Sequence, residues 1–216
     1  MLTTKSKMAI ARLVSRGLLL QRRLLGLGPQ ARVVRSGLCW NLDLREGIDL
    51  SIYLFGRFEA ATVRAYSRIL KPGDIVLDVG ANVGAHTLLL AKCVAPSGRV
   101  IAAEPTEYAY AKLCQLIEDN RPLSNIVSTH QVMFTANSGE GLAPALYSSW
   151  SVEGGADQHV LHMGTGKATN GARAVTVDDL LRSEGVQRLD FMKLDVDGWE
   201  MEVVRGARQT LSILKP

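Results

Sequence analysis

Apolar and polar positions along this chain change period several times, and each change marks an element. Near the start the charges recur at helical spacing. At 100° per residue Lys5, Arg12, Arg16 and Arg23 fall within about 40° of one another, while Ile10, Leu13, Leu20 and Leu24 lie elsewhere round the helix. The pattern predicts an amphipathic helix with a basic stripe, and "GLGPQ" at 26–30 ends this arm. The alternation in "CWNLDLREGIDLSIYLF", residues 39–55, predicts a short hairpin turning at Glu46-Gly47. Phe58, Ala61, Ala65 and Ile69 then share a helical face, and "KPGD" stops that helix after Leu70.

From there strands and helices alternate. "IVLDVG" is a buried-type strand, and a short helix is expected over 83–94. A second strand "RVIAAEP", a helix over 107–120 and a third strand "NIVSTHQVMF" follow. Residues 135–172 are rich in Gly, Ser and Ala, with strand-like pieces only at "ALYSSW" and "QHVLHM", and read as an irregular hairpin insertion beside a site. "ARAVTVDDLLRSEG" gives a short strand and a helix that ends at Gly185. A fourth core strand, "LDFMKLDV", leads through "DGWE" into a last helix reaching about Leu214. Recurring strands with intervening helices imply an α/β fold with a mostly parallel sheet and right-handed crossovers. Ligands of such sheets bind at the carboxyl ends of the strands.

Charge divides the chain at the same place as the pattern. Residues 1–40 hold eight Lys and Arg and no Asp or Glu, which leaves 17 basic and 21 acidic groups, a net of −4, for residues 41–216. The arm, residues 1–38, therefore reads as a separate basic segment, suited to peripheral contact with an anionic membrane or to organelle targeting, or simply packed on the domain. Residues 39–216 read as one catalytic-size domain. Cys39, Cys93 and Cys114 share no metal-type spacing, so a reducing, cytoplasmic setting with free thiols fits. The apolar run "MAIARLVSRGLLL" is interrupted by Arg12 and Arg16, too short and too charged to span a bilayer.

The candidate chemistry lies in "LDVGANVGAHT", residues 77–87. Asp78 closes a strand and Gly80 follows it. A dinucleotide turn needs G-x-G-x-x-G, and from Gly80 the second and third glycine positions are Asn82 and Ala85. Asp78 would also repel a pyrophosphate. It suits a ligand with an ammonium group, and S-adenosylmethionine has one. Glu104, 20 residues past Gly84 at the end of the second strand, stands at the offset where an α/β nucleotide site places an acid on the ribose hydroxyls.

"KPGDIVLDVGANVGAHTLLLA", "VIAAEP", "VTVDDLL" and "DFMKLDVDGWEMEVVRGA" together resemble the successive blocks of the FkbM-type methyltransferases, over about Leu44 to Pro216. The resemblance implies a Rossmann-like class I methyltransferase domain that uses S-adenosylmethionine, with O-methylation of sugars and natural products among the family's activities. It implies that Asp78, Gly80, Asn82 and Gly84 form the cofactor turn, that Glu104 binds the ribose, and that residues 131–136, with Phe134, lie beside the adenine. It also places Asp195, Asp197 and Glu200 in the block that faces the methyl group.

Asp195, closing the fourth strand, is the first choice for base or acceptor anchor, and Asp197 is either a second such group or the cap of the last helix. His86, at the start of the helix after the glycine turn, is a further catalytic candidate. Asp195, Asp197 and Glu200 could hold a divalent cation, but no further oxygen ligand is evident, so no metal site is assigned. His159 and His162 have HxxH spacing without a third ligand. Trp199 is an aromatic anchor for the last helix or a cover for the acceptor cleft.

The expected product is a methylated small-molecule or glycan hydroxyl, with a non-catalytic S-adenosylmethionine-binding module as the alternative. An RNA methyltransferase is disfavoured by the acidic body. Only about four core strands are evident where the fold usually has seven, so the domain reads as C-terminally incomplete. The fourth strand is then an open edge that an oligomeric partner could cover.

Overall fold

Ser36 and Gly37 both adopt left-handed backbone, with φ of 55° and 74°, the twist that a two-residue hairpin turn requires. They join β1 (Gln30–Arg35) to β2 (Leu38–Asp43) as an antiparallel pair. Leu38, Trp40 and Leu42 alternate into the core along β2. This is a computed structural model, and it describes residues 4–148, 152 and 165–216. The described parts of 1–59 and 147–166 form one compact unit, and those of 60–146 and 167–216 form another.

The first unit also contains α1 (Thr4–Leu24) and α2 (Gly47–Phe55). The hairpin expected around Glu46-Gly47 is therefore displaced, and the segment after it is a helix. Ile48, Leu50, Ile52 and Leu54 alternate as a strand would, yet Asp49 is buried and accepts the Asp43 N–H at 2.8 Å from the helix's first turn. Gly56, in left-handed backbone, closes α2 by donating its N–H to Ile52 O at 2.8 Å.

In the second unit, α3 (Ala60–Ile69) precedes β3 (Ile75–Val79), α4 (Thr87–Val94), β4 (Arg99–Ala103), α5 (Glu107–Asp119), α6 (Arg121–Ser124) and β5 (Val127–His130). β6 (Val132–Phe134), β9 (Arg173–Val175), α7 (Val177–Ser183), β10 (Phe191–Leu194) and α8 (Glu200–Arg205) follow, and a π-helical turn covers Thr210–Leu214, while β7 (Ala145–Ser148) and β8 (Thr165–Ala168) each have residues in both units. A four-stranded parallel sheet runs in the order β10-β3-β4-β5. Leu77, Val79, Ile101 and Ala103 face one layer, where they pack with Val177, Leu180, Leu181 and Val203. The opposite side chains of β3 and β4 meet α4, whose Leu88 and Leu90 are fully buried. Helices thus cover both faces, as the alternating pattern implied.

The chain winds from β3 outward to β4 and β5, then returns to lay β10 on the other side of β3. That reversal creates a crevice at the carboxyl ends of β3 and β10. The expected third strand is broken. After His130 the chain leaves β5, and Val132–Phe134 pairs instead with β9 in a separate parallel ladder. Ile101 lies fully buried in the middle of the sheet. Ile101→Ala is expected to lower the unfolding free energy by about 2–5 kcal/mol, seen as a lower urea midpoint at unchanged m-value, and a loss under about 1 kcal/mol would contradict the packing described.

Candidate functional site

β3 ends at Val79, and a turn built on Gly80, Asn82 and Gly84 carries the chain into α4. The N–H groups of Gly80 and Ala81 both donate to Ala103 O, at 3.1 and 3.0 Å, so the turn is pinned to the end of β4. Gly80 has φ 74°, and a Cβ there would lie 1.9 Å from the Asp195 carbonyl oxygen. Only a glycine permits that approach. Gly84 has φ 87° and lies against Leu113 and Leu116 of α5, where a Cβ would come within 2.9 and 2.8 Å. Asn82 is left-handed at φ 51° and steadies itself by accepting the Val83 N–H at 2.8 Å, a conformation asparagine tolerates better than most residues.

Asp78 is completely buried, and its carboxylate is occupied. Thr87 Oγ1 donates to Oδ2 at 2.7 Å, and Lys193 Nζ lies 3.2 Å from Oδ1. Oδ1 accepts no hydrogen bond among the described residues, so its pairing with Lys193 is through charge. Lys193 is itself buried and stands directly across from Asp78 in the β10–β3 register. Its ammonium also donates to Gly80 O at 3.3 Å and lies 3.6 Å from Asp195 Oδ2. The bare carboxylate expected from the sequence is thus a compensated ion pair. Repulsion by Asp78 is not what bars a pyrophosphate; the missing glycines at Asn82 and Ala85 remain.

Glu104, at the end of β4, is buried and reaches back to the turn. Its Oε2 accepts the Asn82 N–H at 2.9 Å, and its Oε1 accepts the Thr106 N–H at 3.0 Å and the Thr106 hydroxyl. Burial raises its pKa above the ordinary carboxylate value; the Thr106 and Asn82 hydrogen bonds oppose that shift, and the nearby Asp78 charge adds to it. An ionised carboxylate has about four acceptor positions, so three bonds leave room for one more donor. Asp195 ends β10 at the same mouth and is exposed, with its side chain 59% accessible. Two strand-end carboxylates and a glycine turn thus meet at the crevice.

A family model described as a methyltransferase FkbM domain matches residues 78–216. The chain belongs to the FkbM methyltransferase family. The methyltransferase sdnD of Sordaria araneosa is 27% identical, over 76% of this chain and 75% of that protein. The FkbM methyltransferase of Methylobacillus flagellatus KT, a solved structure, is 17% identical with a TM-score of 0.45, covering 77% of this chain and 40% of that one. The TYW2 structure of M. jannaschii in complex with AdoMet is 23% identical with a TM-score of 0.35, covering 47% of this chain and 42% of that one. The chain thus spans less than half the length of these two solved structures.

Within this FkbM domain, several sequence-predicted residues take other places. Phe134 is buried in the core with Val79, Ala103 and Val177, and its strand β6 pairs with β9 outside the central sheet. His86 is buried too. Its Nδ1 lies 3.4 Å from the Tyr66 hydroxyl and its ring meets Tyr66 edge-on at 5.9 Å, so it is packed behind the turn and not presented at the crevice. Asp197 does not cap α8, which begins at Glu200 with Trp199 at its N-cap. It is an exposed, left-handed residue at φ 46° in the turn before that helix. Glu200 accepts the Gly198 N–H at 3.2 Å, and Trp199 is partly exposed. Among the described residues no three His, Cys, Asp or Glu side chains gather where they could hold a metal ion. His159 and His162 lie outside the described residues.

The residue that sequence reasoning missed is Lys193. A lysine inside the apolar strand "FMKL", two positions before Asp195, was the available signal. Lys193→Met is expected to cost about 3–5 kcal/mol of stability, because it leaves the buried Asp78 charge uncompensated. Adding Asp78→Asn should recover part of that loss, so a double-mutant cycle by urea unfolding should show clear non-additivity, whereas additive losses would mean the two groups are not paired.

Proposed function

We propose that this chain binds S-adenosylmethionine at the carboxyl ends of β3 and β4 and transfers its methyl group to an oxygen of a small-molecule or glycan acceptor. The observation that carries the reading is Glu104, a buried carboxylate at the end of β4 that reaches the Asn82 N–H of the glycine turn. Membership of the FkbM family supports it.

The donor set fits this cofactor. Glu104 retains acceptor capacity for a ribose hydroxyl, and a diol taking both oxygens would replace the Thr106 hydroxyl. Gly80 and Gly84 keep side chains off the turn, and Asn82 folds its own back onto the Val83 N–H, so the backbone can approach a ligand closely. Bound there, the cofactor supplies an electrophilic methyl group on a sulfonium.

The rest is the work of the chain. Asp78 and Lys193 hold the turn against β10, and Lys193 keeps Asp195 at the same mouth. Asp195 is the exposed acceptor-side carboxylate, placed to receive the hydroxyl proton or to hold the acceptor oxygen in line. Asp197, two residues on, is exposed in the turn that follows. O-methylation is the finer reading because these groups suit a hydroxyl acceptor.

Calorimetric titration with S-adenosylhomocysteine tests the cofactor site. The parent chain should bind; Gly80→Ala should abolish binding by pushing the Asp195 carbonyl away, and Glu104→Ala should weaken it by at least about tenfold through loss of one charge-assisted contact. A folded parent that gives no heat would overturn the assignment. Binding without turnover on a panel of glycan and small-molecule hydroxyl acceptors would instead favour a non-catalytic module.

The raised pKa of Glu104 sets a pH dependence. Its protonated form adds stability to the ligand-free fold at acid pH, and that contribution is lost as pH rises through the folded-state value. Ligand affinity should run the other way, rising with pH as the carboxylate becomes the better acceptor for the ribose. The slope should extend above the ordinary carboxylate range and disappear in Glu104→Gln; an unchanged slope in that variant would assign it to another group.

A further inference from the structure

α1 turns its apolar side outward. At 100° per residue, Ala11, Ser15, Leu18, Leu19 and Arg22 share one side, and these are the buried or half-buried positions. Ser15 anchors that side by donating Oγ to Leu44 O at 3.2 Å, and Arg12 Nε donates to Val152 O at 3.1 Å. The opposite side carries Ile10, Leu13, Val14, Leu20 and Leu24, all exposed; Leu13 and Leu24 reach 74% and 79%. Exposed Arg16 and Arg23 border it along one edge. Leu25 and Leu27 extend the apolar surface past the helix end.

Large contiguous apolar surface rimmed by charge marks an interaction site. The charge here has one sign, since residues 1–40 contain eight Lys and Arg and no acid. An α1-to-α1 contact between two copies would set arginines against arginines. A surface that is anionic at its rim and apolar a few ångströms below meets both requirements at once. No helix among the described residues is long and apolar enough to cross a membrane, so α1 would lie in the interface plane.

We propose that α1 docks the chain on an anionic lipid bilayer, with Ile10, Leu13, Leu20 and Leu24 among the acyl chains and Arg16 and Arg23 at the headgroups. This is independent of the methyl-transfer reading.

Flotation of the full chain with lipid vesicles tests it. The chain should float with phosphatidylcholine vesicles containing about 30% phosphatidylserine, and at least about tenfold less with phosphatidylcholine alone. Leu13→Asp with Leu24→Asp should lower the anionic-vesicle affinity by at least about tenfold without changing the circular dichroism, because both side chains are exposed. Arg16→Glu with Arg23→Glu should do the same and flatten the salt dependence. A folded chain that stays with the soluble fractions in the presence of anionic vesicles overturns the proposal. So does equal flotation of the leucine variant, or a dimer, dissolved by the leucine substitutions, that binds no vesicles.

Discussion

An ammonium and a carboxylate facing each other across two parallel strands organise the mouth of the sheet. Asp78 and Lys193 are register partners, both withdrawn from water. Two charges are costly to desolvate, and the cost is offset only where geometry and further hydrogen bonds are good. Here Thr87 supplies one such bond to Asp78, and the Gly80 carbonyl takes one from Lys193. The pair therefore ties three pieces of chain together: the end of β3, the start of α4 and the end of β10. Removing either partner would leave the other as a buried charge, so the pair defines the β3–β10 register more sharply than apolar packing alone would.

The strand and helix order of the α/β unit was legible because hydrophobic period and turn residues agree over residues 75–119, whereas the short helix Arg121–Ser124 was not expected. Where they disagreed, the pattern misled. Ile48, Leu50 and Ile52 alternate like a strand but bury themselves as a helix, because buried Asp49 bonds the Asp43 N–H and Gly56 ends the segment. The run "NIVSTHQVMF" has no internal punctuation, and its division between two sheets depends on pairing with Arg173–Val175, some 40 residues distant.

The site was legible in outline and misread in its charges. Gly80, Asn82 and Gly84 stand where left-handed backbone is required, and Glu104 does lie beside the turn. The sequence presents Asp78 as an open carboxylate because nothing local in it says that a lysine 115 residues later will face it. His86 and Phe134 are near the turn in sequence or in register, yet both belong to packed interior. Proximity along the chain does not distinguish a side chain that lines a crevice from one that supports its wall.

The near-contact between Gly80 and the Asp195 carbonyl couples the glycine turn after β3 to the turn after β10. Neither loop has clearance to move toward the other. Any displacement that opens one must carry the other with it, since the Lys193 ammonium and the Gly80 carbonyl bridge the same gap. The distance between the glycine turn and Asp195 is thereby set by backbone stiffness and not by the reach of side chains. Any change of shape at this end of the sheet would have to come from the residues beyond Asp195, because the spacing itself has no compliance to give.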